Sequence, residues 1–195
     1  MATSVSISAL AGDTGGADGP LKDDTVREYL AALDRLMIIE DQPAWAPQLR
    51  SRSILRTAPK RHFVDPALAV AALRATPERL LHEIEWFGFL FESLVVRDLR
   101  IYAQANDAMV RHYRDNTGLE VDAIVETAGG AWAAFEVKLG QKLVDEAAAH
   151  LLTFAERVDT TVCGRPATLA VIVATGYGYV RPDGVAVIPV GALAP

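Results

Sequence analysis

The order of strand-like and helix-like segments predicts an α/β (α+β) fold, a mixed sheet flanked by helices with an α-β-β-β-α-β core. Three observations predict it. A long helical run crowded with Trp86, Phe87, Phe89, Leu90, Phe91, Leu94 and Val95 comes first. Three strand-like runs separated by turn formers follow it. A helical stripe then precedes two further apolar strand-like runs. A length of 195 residues, 51% of them apolar, supplies a sizeable core and argues against disorder.

The elements read in order as follows. Residues 1–20 are rich in Gly, Ser, Thr and Ala and are expected to be a flexible lead-in with a short helical turn near Ser8-Ala9-Leu10. Asp23 or Asp24 can cap a helix whose apolar stripe is Val26, Leu30, Leu33 and Leu36-Met37. Ile38 to Asp41 suggests a short strand leaving it. A helix followed by a small strand suits part of a winged-helix unit, and it equally suits an ordinary amphipathic packing helix. His62 to Asp65 reads as extended, and Pro66 can open a helix over Ala67 to Arg74. The long helix is expected over Pro77 to Tyr102, buried nearly all round. Strands are expected over Met109–Arg114, Leu119–Glu126 and Ala131–Leu139, the first two joined by the turn Asn116-Thr117-Gly118. A helix over Leu143–Val158 and strands over Ala167–Ala174 and Val185–Val190 complete the chain. This divides it into the lead-in, a winged-helix-like segment with a basic connection over 21–75, and the core over 76–195.

The chemistry concentrates on two of these strands. Side chains alternate along a strand, so Glu120 and Asp122 share one face, and so do Glu136 and Lys138. The turn formers Thr127 to Gly130 make the two strands an antiparallel hairpin that sets Asp122 opposite Glu136. Opposed carboxylates repel across a ladder, and a divalent cation beside Lys138 would offset that repulsion. Such alternation also suits a solvated strand face, but helices on both faces of the sheet leave less room for decoration. Asp122 and Glu136 are hard oxygen ligands suited to Mg²⁺ or Mn²⁺, with the Val137 carbonyl as a further ligand. The Lys138 ammonium would orient a water and stabilise charge on a phosphate, with Glu120 as an outer acceptor. Glu92 points into apolar surroundings on the long helix, so it needs a cation. That is either the metal or an arginine such as Arg97 or Arg100. Gln141 and Lys142 suit a phosphate contact or a helix start. His112 reads as a half-exposed histidine, Cys163 as passive, and Tyr177 and Tyr179 as a flexible loop or a partner surface.

Composition bounds the setting. The net charge is −6, yet Gln42 to Val64 holds no acid and carries Arg50, Arg52, Arg56, Lys60 and Arg61. That belt suits phosphate contacts, as it does a solvated loop. The single cysteine rules out an intrachain disulfide. With no signal-peptide pattern and no apolar run of about 18 residues, a cytoplasmic protein with no membrane partner is expected.

In combination these pieces resemble a known family. Val26 to Leu30 with Leu36 to Ile39, His62 to Asp65, Phe91-Glu92, Tyr113 to Asp115, Gly118 to Asp122 and Glu136 to Lys138 are similar to the domain of unknown function at the C-terminal end of many AAA-type ATPases. They also resemble the PD-(D/E)XK nuclease superfamily. The resemblance implies a restriction-endonuclease-like core behind a small winged-helix-like piece. It also implies metal binding by Asp122 and Glu136 and a catalytic role for Lys138. A metal-dependent DNA endonuclease is the first expectation, and a non-catalytic module binding DNA or a P-loop ATPase partner is the second. No G-x-x-x-x-G-K-[ST] occurs, so no ATP site is expected in this chain.

Overall fold

The computed structural model describes residues 6–16, 19–47, 55 and 58–194. Helix α1 (Ile7–Thr14), capped by the Ser6 side chain, lies inside the expected lead-in. Helix α2 (Asp23–Arg35) starts at Lys22 without a side-chain cap. Asp23 and Asp24 sit in its first turn, where they face the positive end of the helix dipole. Strand β1 (Ile39–Gln42) pairs antiparallel with β2 (Lys60–Phe63), setting Gln42 opposite Lys60. Pro66 opens α3 (Pro66–Ala72), with the Asp65 carboxylate accepting from Ala67 N.

The long helical run divides. Glu83, at φ −102 and ψ 62, leaves the helical region and separates α4 (Pro77–His82) from α5 (Ile84–Ala105). Helix α5 is buried from Leu90 to Ser93 and at Val95, Val96, Leu99 and Ala103, while Ile84, Glu85 and Ile101 face solvent. The expectation of burial all round therefore holds only for its middle.

Then come β3 (Ala108–Arg114), β4 (Glu120–Thr127), β5 (Trp132–Lys138), α6 (Val144–Arg157), α7 (Thr160–Cys163), β6 (Thr168–Val173), β7 (Tyr179–Val180) and β8 (Ala186–Pro189). The α-β-β-β-α-β order is that of α5, β3, β4, β5, α6 and β6. The six strands form one mixed sheet in the order β3-β4-β5-β6-β8-β7. Its β3-β4-β5 meander is antiparallel, and β5-β6-β8 is parallel. Helix α5 covers one face through Phe91, Val95, Val96 and Leu99, which pack on Ala123, Phe135, Val137 and Ile172. Helix α6 covers the other, where Leu151 and Phe154 meet Tyr113, Ile124, Trp132 and Val171. A parallel strand pair buried on both faces reads as a continuous apolar run, as Leu169 to Val173 does.

Trp45 and the backbone before it help to tie the N-terminal segment to this core. Trp45 enters the α6-side cluster, its ring centroid 4.9 Å from that of Trp132. Burying an aromatic of this size contributes about 2–3 kcal/mol. The backbone of residues 43–45 also lies along the free edge of β3: His112 N donates to Pro43 O, and Trp45 N donates to His112 O.

The β3–β4 turn is held by one carboxylate. Asp115 accepts from Thr117 N, Thr117 Oγ1, Leu119 N, Tyr113 OH and Arg157 Nη1. These donors hold it below the usual carboxylate range despite its burial. Gly118 takes φ +89 in this turn, a conformation that costs other residues about 1 kcal/mol or more.

Candidate functional site

A defect in the sheet builds the site. The β3–β4 register runs Arg111↔Ile124 and then Tyr113↔Val121, so two β4 residues, Asp122 and Ala123, oppose the single His112. This is a β-bulge, a device that re-aims a side chain and leaves ladder groups unpaired. The Gln42 side chain takes up the loss, its Nε2 donating to Arg111 O and to Asp122 O at 3.0 Å each. Because the Gln42 amide nitrogen must face two carbonyls, its Oε1 faces His62 Nε2 at 2.9 Å. His62 therefore carries its proton on Nε2, and Nδ1 accepts from Ser93 Oγ at 3.2 Å. Strands β1 and β2, helix α5 and the bulge are thus joined through buried groups.

Burial and the nearby Lys60 and Arg100 charges push the His62 imidazole down to about 3. The unfolded chain takes up this proton near 6.5 and the folded chain only near 3, so folded stability from this group is lost as pH falls through that window. The stability advantage of wild type over His62→Gln is expected to shrink by about 2–3 kcal/mol between pH 7 and pH 4.5. Urea unfolding at the two pH values measures it, and a constant difference would place the proton elsewhere.

The chemistry-bearing groups converge beside the bulge. The β4–β5 ladder ends at Ala123↔Phe135, and the next step of that register sets Asp122 opposite Glu136. There the Asp122 carboxylate replaces a ladder acceptor: Oδ2 accepts from Val137 N at 2.9 Å. Lys138 Nζ lies 2.7 Å from Glu136 Oε2 and 3.7 Å from Asp122 Oδ2. On the other side of Asp122, Lys60 Nζ lies 3.3 Å from its Oδ1, 2.5 Å from Glu92 Oε1 and 3.4 Å from Glu120 Oε1.

Asp122, Glu92 and Glu136 do not share one proton affinity. Asp122, between two ammonium groups, stays below the ordinary range although it is largely buried. Burial, with Asp122 as a like-charged neighbour, raises Glu92 and Glu136 well above it. Both lysines are held above their usual range by the carboxylates around them. Of these three acids, Asp122 is therefore the one kept in its charged form.

Asp122, Glu136, Lys138, Glu92 and Glu120 are brought together as the sequence implied. Val137 contributes its N–H to Asp122, and its side chain packs in the α5-side core. Lys60 departs from expectation: assigned to the surface belt, it is 4% exposed and sits among the acids. It, and neither Arg97 nor Arg100, is the partner of Glu92. Those arginines pair with Asp98 and Asp65, and with Glu40. Arg61 points outward to Asp41, whereas Arg50, Arg52 and Arg56 lie outside the described residues.

His112 is buried, its Nε2 3.0 Å from Ala58 O, and is no half-exposed residue. Gln141 and Lys142 form the turn that starts α6. Tyr177 is exposed, and Tyr179 lies on β7. Gln42, His62 and Ser93 escaped the sequence reading, although Lys60 and His62 share strand parity, the signal that both face inward.

Two cavities meet at Asp122 and Lys138. One, of about 410 Å³, is polar and lined by Glu120, Glu136, His150 and Arg157. The other, of about 1150 Å³, is lined by Phe87, Phe89, Leu139 and Leu143. Among the described residues, no three His, Cys, Asp or Glu side chains converge as a metal cage. No helix among them is long and apolar enough to cross a membrane.

Fold and site together define a mixed α/β sheet protein with a carboxylate–lysine cluster where its central strands separate. Residues 87–193, more than half of the chain, match the model of a family described as Domain of unknown function (DUF4143), and the chain belongs to that family. Residues 1–79 match a second model, Domain of unknown function (DUF8612). No curated protein and no solved structure matches. The site draws on both matched regions: Gln42, Lys60 and His62 come from the first, the remaining groups from the second.

Proposed function

We propose that this chain is a divalent-metal-dependent, nuclease-like domain that hydrolyses DNA phosphodiesters. The observation that carries the reading is Asp122 and Glu136 on adjacent strands, both within reach of the Lys138 ammonium at the floor of an open polar cavity. The arrangement agrees with the resemblance to PD-(D/E)XK nucleases and to the C-terminal domain of AAA-type ATPases.

Asp122 and Glu136 suit Mg²⁺ or Mn²⁺, hard cations often held by one or two carboxylates with water completing the shell. Glu136, raised by burial and by its like-charged neighbour, would give up its proton on binding. When bound, the ion would supply Lewis-acid activation of the phosphate and of a water. Lys138 would stabilise charge on the phosphate oxygens and Glu120 would accept from an ordered water, while His150 and Arg157 line the path of the backbone. In this reading Arg61 and the arginines before it add phosphate contacts, a P-loop ATPase is a second partner, and the one cysteine fits a reducing cytoplasm.

A second reading, a non-catalytic module binding DNA or an ATPase, draws on one observation. Lys60 and Lys138 already give each of the four acids an ammonium partner. Titration calorimetry with Mn²⁺ separates the two readings. Stoichiometric binding that falls at least about tenfold in Glu136→Ala is expected, because one of two protein ligands is lost. No heat in wild type would favour the second reading.

A further inference from the structure

We infer that Lys60 is a tethered cation: its ammonium fills one cation position of the acid cluster, so the cluster has room for a single divalent ion. The inference rests on the reading of Asp122 and Glu136 as ligands for that ion alone. Three carboxylates from two elements surround Nζ: Glu92 on α5, and Glu120 and Asp122 on β4. An ammonium is expensive to bury, and it remains charged in so enclosed a place only when carboxylates surround it.

The seat is built, and it is not an accident of a long side chain. Lys60 is registered opposite Gln42, which fills the bulge, and it follows the inward parity of His62, which is bonded to Ser93 beside Glu92. Asp122 is divided between the two sides. Its Oδ1 faces Lys60, while Oδ2 faces Val137 N and Lys138. Lys60 itself is buried, while its partner Glu120 borders the polar cavity together with Glu136, and Glu92 borders the larger one. The ammonium occupies the side of Asp122 that faces Glu92 and Glu120, which leaves the side facing Glu136 for an external ion. A lysine from the region of residues 1–79 supplies charge that the acids of the second region need.

Replacing the ammonium should reopen the position to a metal. Lys60→Met is expected to lower the melting temperature by roughly 6–20 °C without added cation, as breaking a buried ion pair in a chain of this size does. Mn²⁺ should restore more of that loss than it adds to wild type, and calorimetry should count one more Mn²⁺ per chain than wild type takes. The charge-balanced pair Lys60→Met with Glu92→Gln should fold without cation and show no extra ion.

A Lys60→Met protein with the wild-type count, or one that stays unfolded in saturating Mn²⁺, would overturn the inference. So would a double variant no more stable than the single one. The readout is a difference from wild type, so it stands apart from the proposed activity. If wild type binds no Mn²⁺ and cleaves nothing, the nuclease reading fails, while a gained ion in Lys60→Met still supports the tethered cation.

Discussion

Asp122→Asn is expected to lower metal-dependent DNA cleavage on the order of 10³-fold, about 4 kcal/mol on the barrier. The size follows from the position of this carboxylate. Unlike Glu92 and Glu136 it is held ionised, and it touches both ammonium groups and the Val137 amide. Asparagine keeps the shape and can still accept from Val137 N, so the end of the ladder survives. It loses the negative charge that would hold the ion, and it turns an NH₂ group toward a lysine. Initial rates with Mg²⁺ or Mn²⁺ measure the loss. A rate within a few-fold of wild type would remove Asp122 from the chemistry.

Gln42→Ala is expected to cost about 3–5 kcal/mol of stability, through a mechanism remote from charge. Gln42 is fully buried, and its amide satisfies the Arg111 and Asp122 carbonyls and the His62 ring together. Truncation leaves these groups without partners in a dry interior, at roughly 1–3 kcal/mol each, offset where water enters the space vacated. The melting temperature should fall by roughly 6–20 °C. Because the bulge aims Asp122, Mn²⁺ affinity should weaken with it. A cost below about 1 kcal/mol would mean that the bulge holds its shape without the plug.

The core was legible because its signals were local. Period-two alternation located β4 and β5, the Thr127–Gly130 turn fixed their register, and that register set Asp122 opposite Glu136. The bulge was not legible. It depends on how β3 and β4 share their ladder at His112, and no residue type between Val121 and Ala123 marks the extra residue.

Lys60 was misassigned because charge was counted along a stretch of sequence, without applying strand parity. In Lys60-Arg61-His62-Phe63 the inward pair is the lysine and the histidine. The partner of Glu92 lies 32 positions away by sequence number, on a strand that only the tertiary fold brings to α5. The break at Glu83 was hidden for a different reason: a glutamate in a helical run carries no breaker signal, and the change there is one of backbone ψ.

Asp122, Glu136 and Lys138 are proposed to form a working hydrolytic site. The most direct measurement compares wild type with the Asp122→Ala, Lys138→Ala double variant in cleavage of plasmid or branched DNA, with Mg²⁺ or Mn²⁺ and again with chelator. Cleavage by wild type that requires the cation and is lost in the double variant is expected of such a site. Equal cleavage by the two proteins, or none by wild type with either ion, would contradict it.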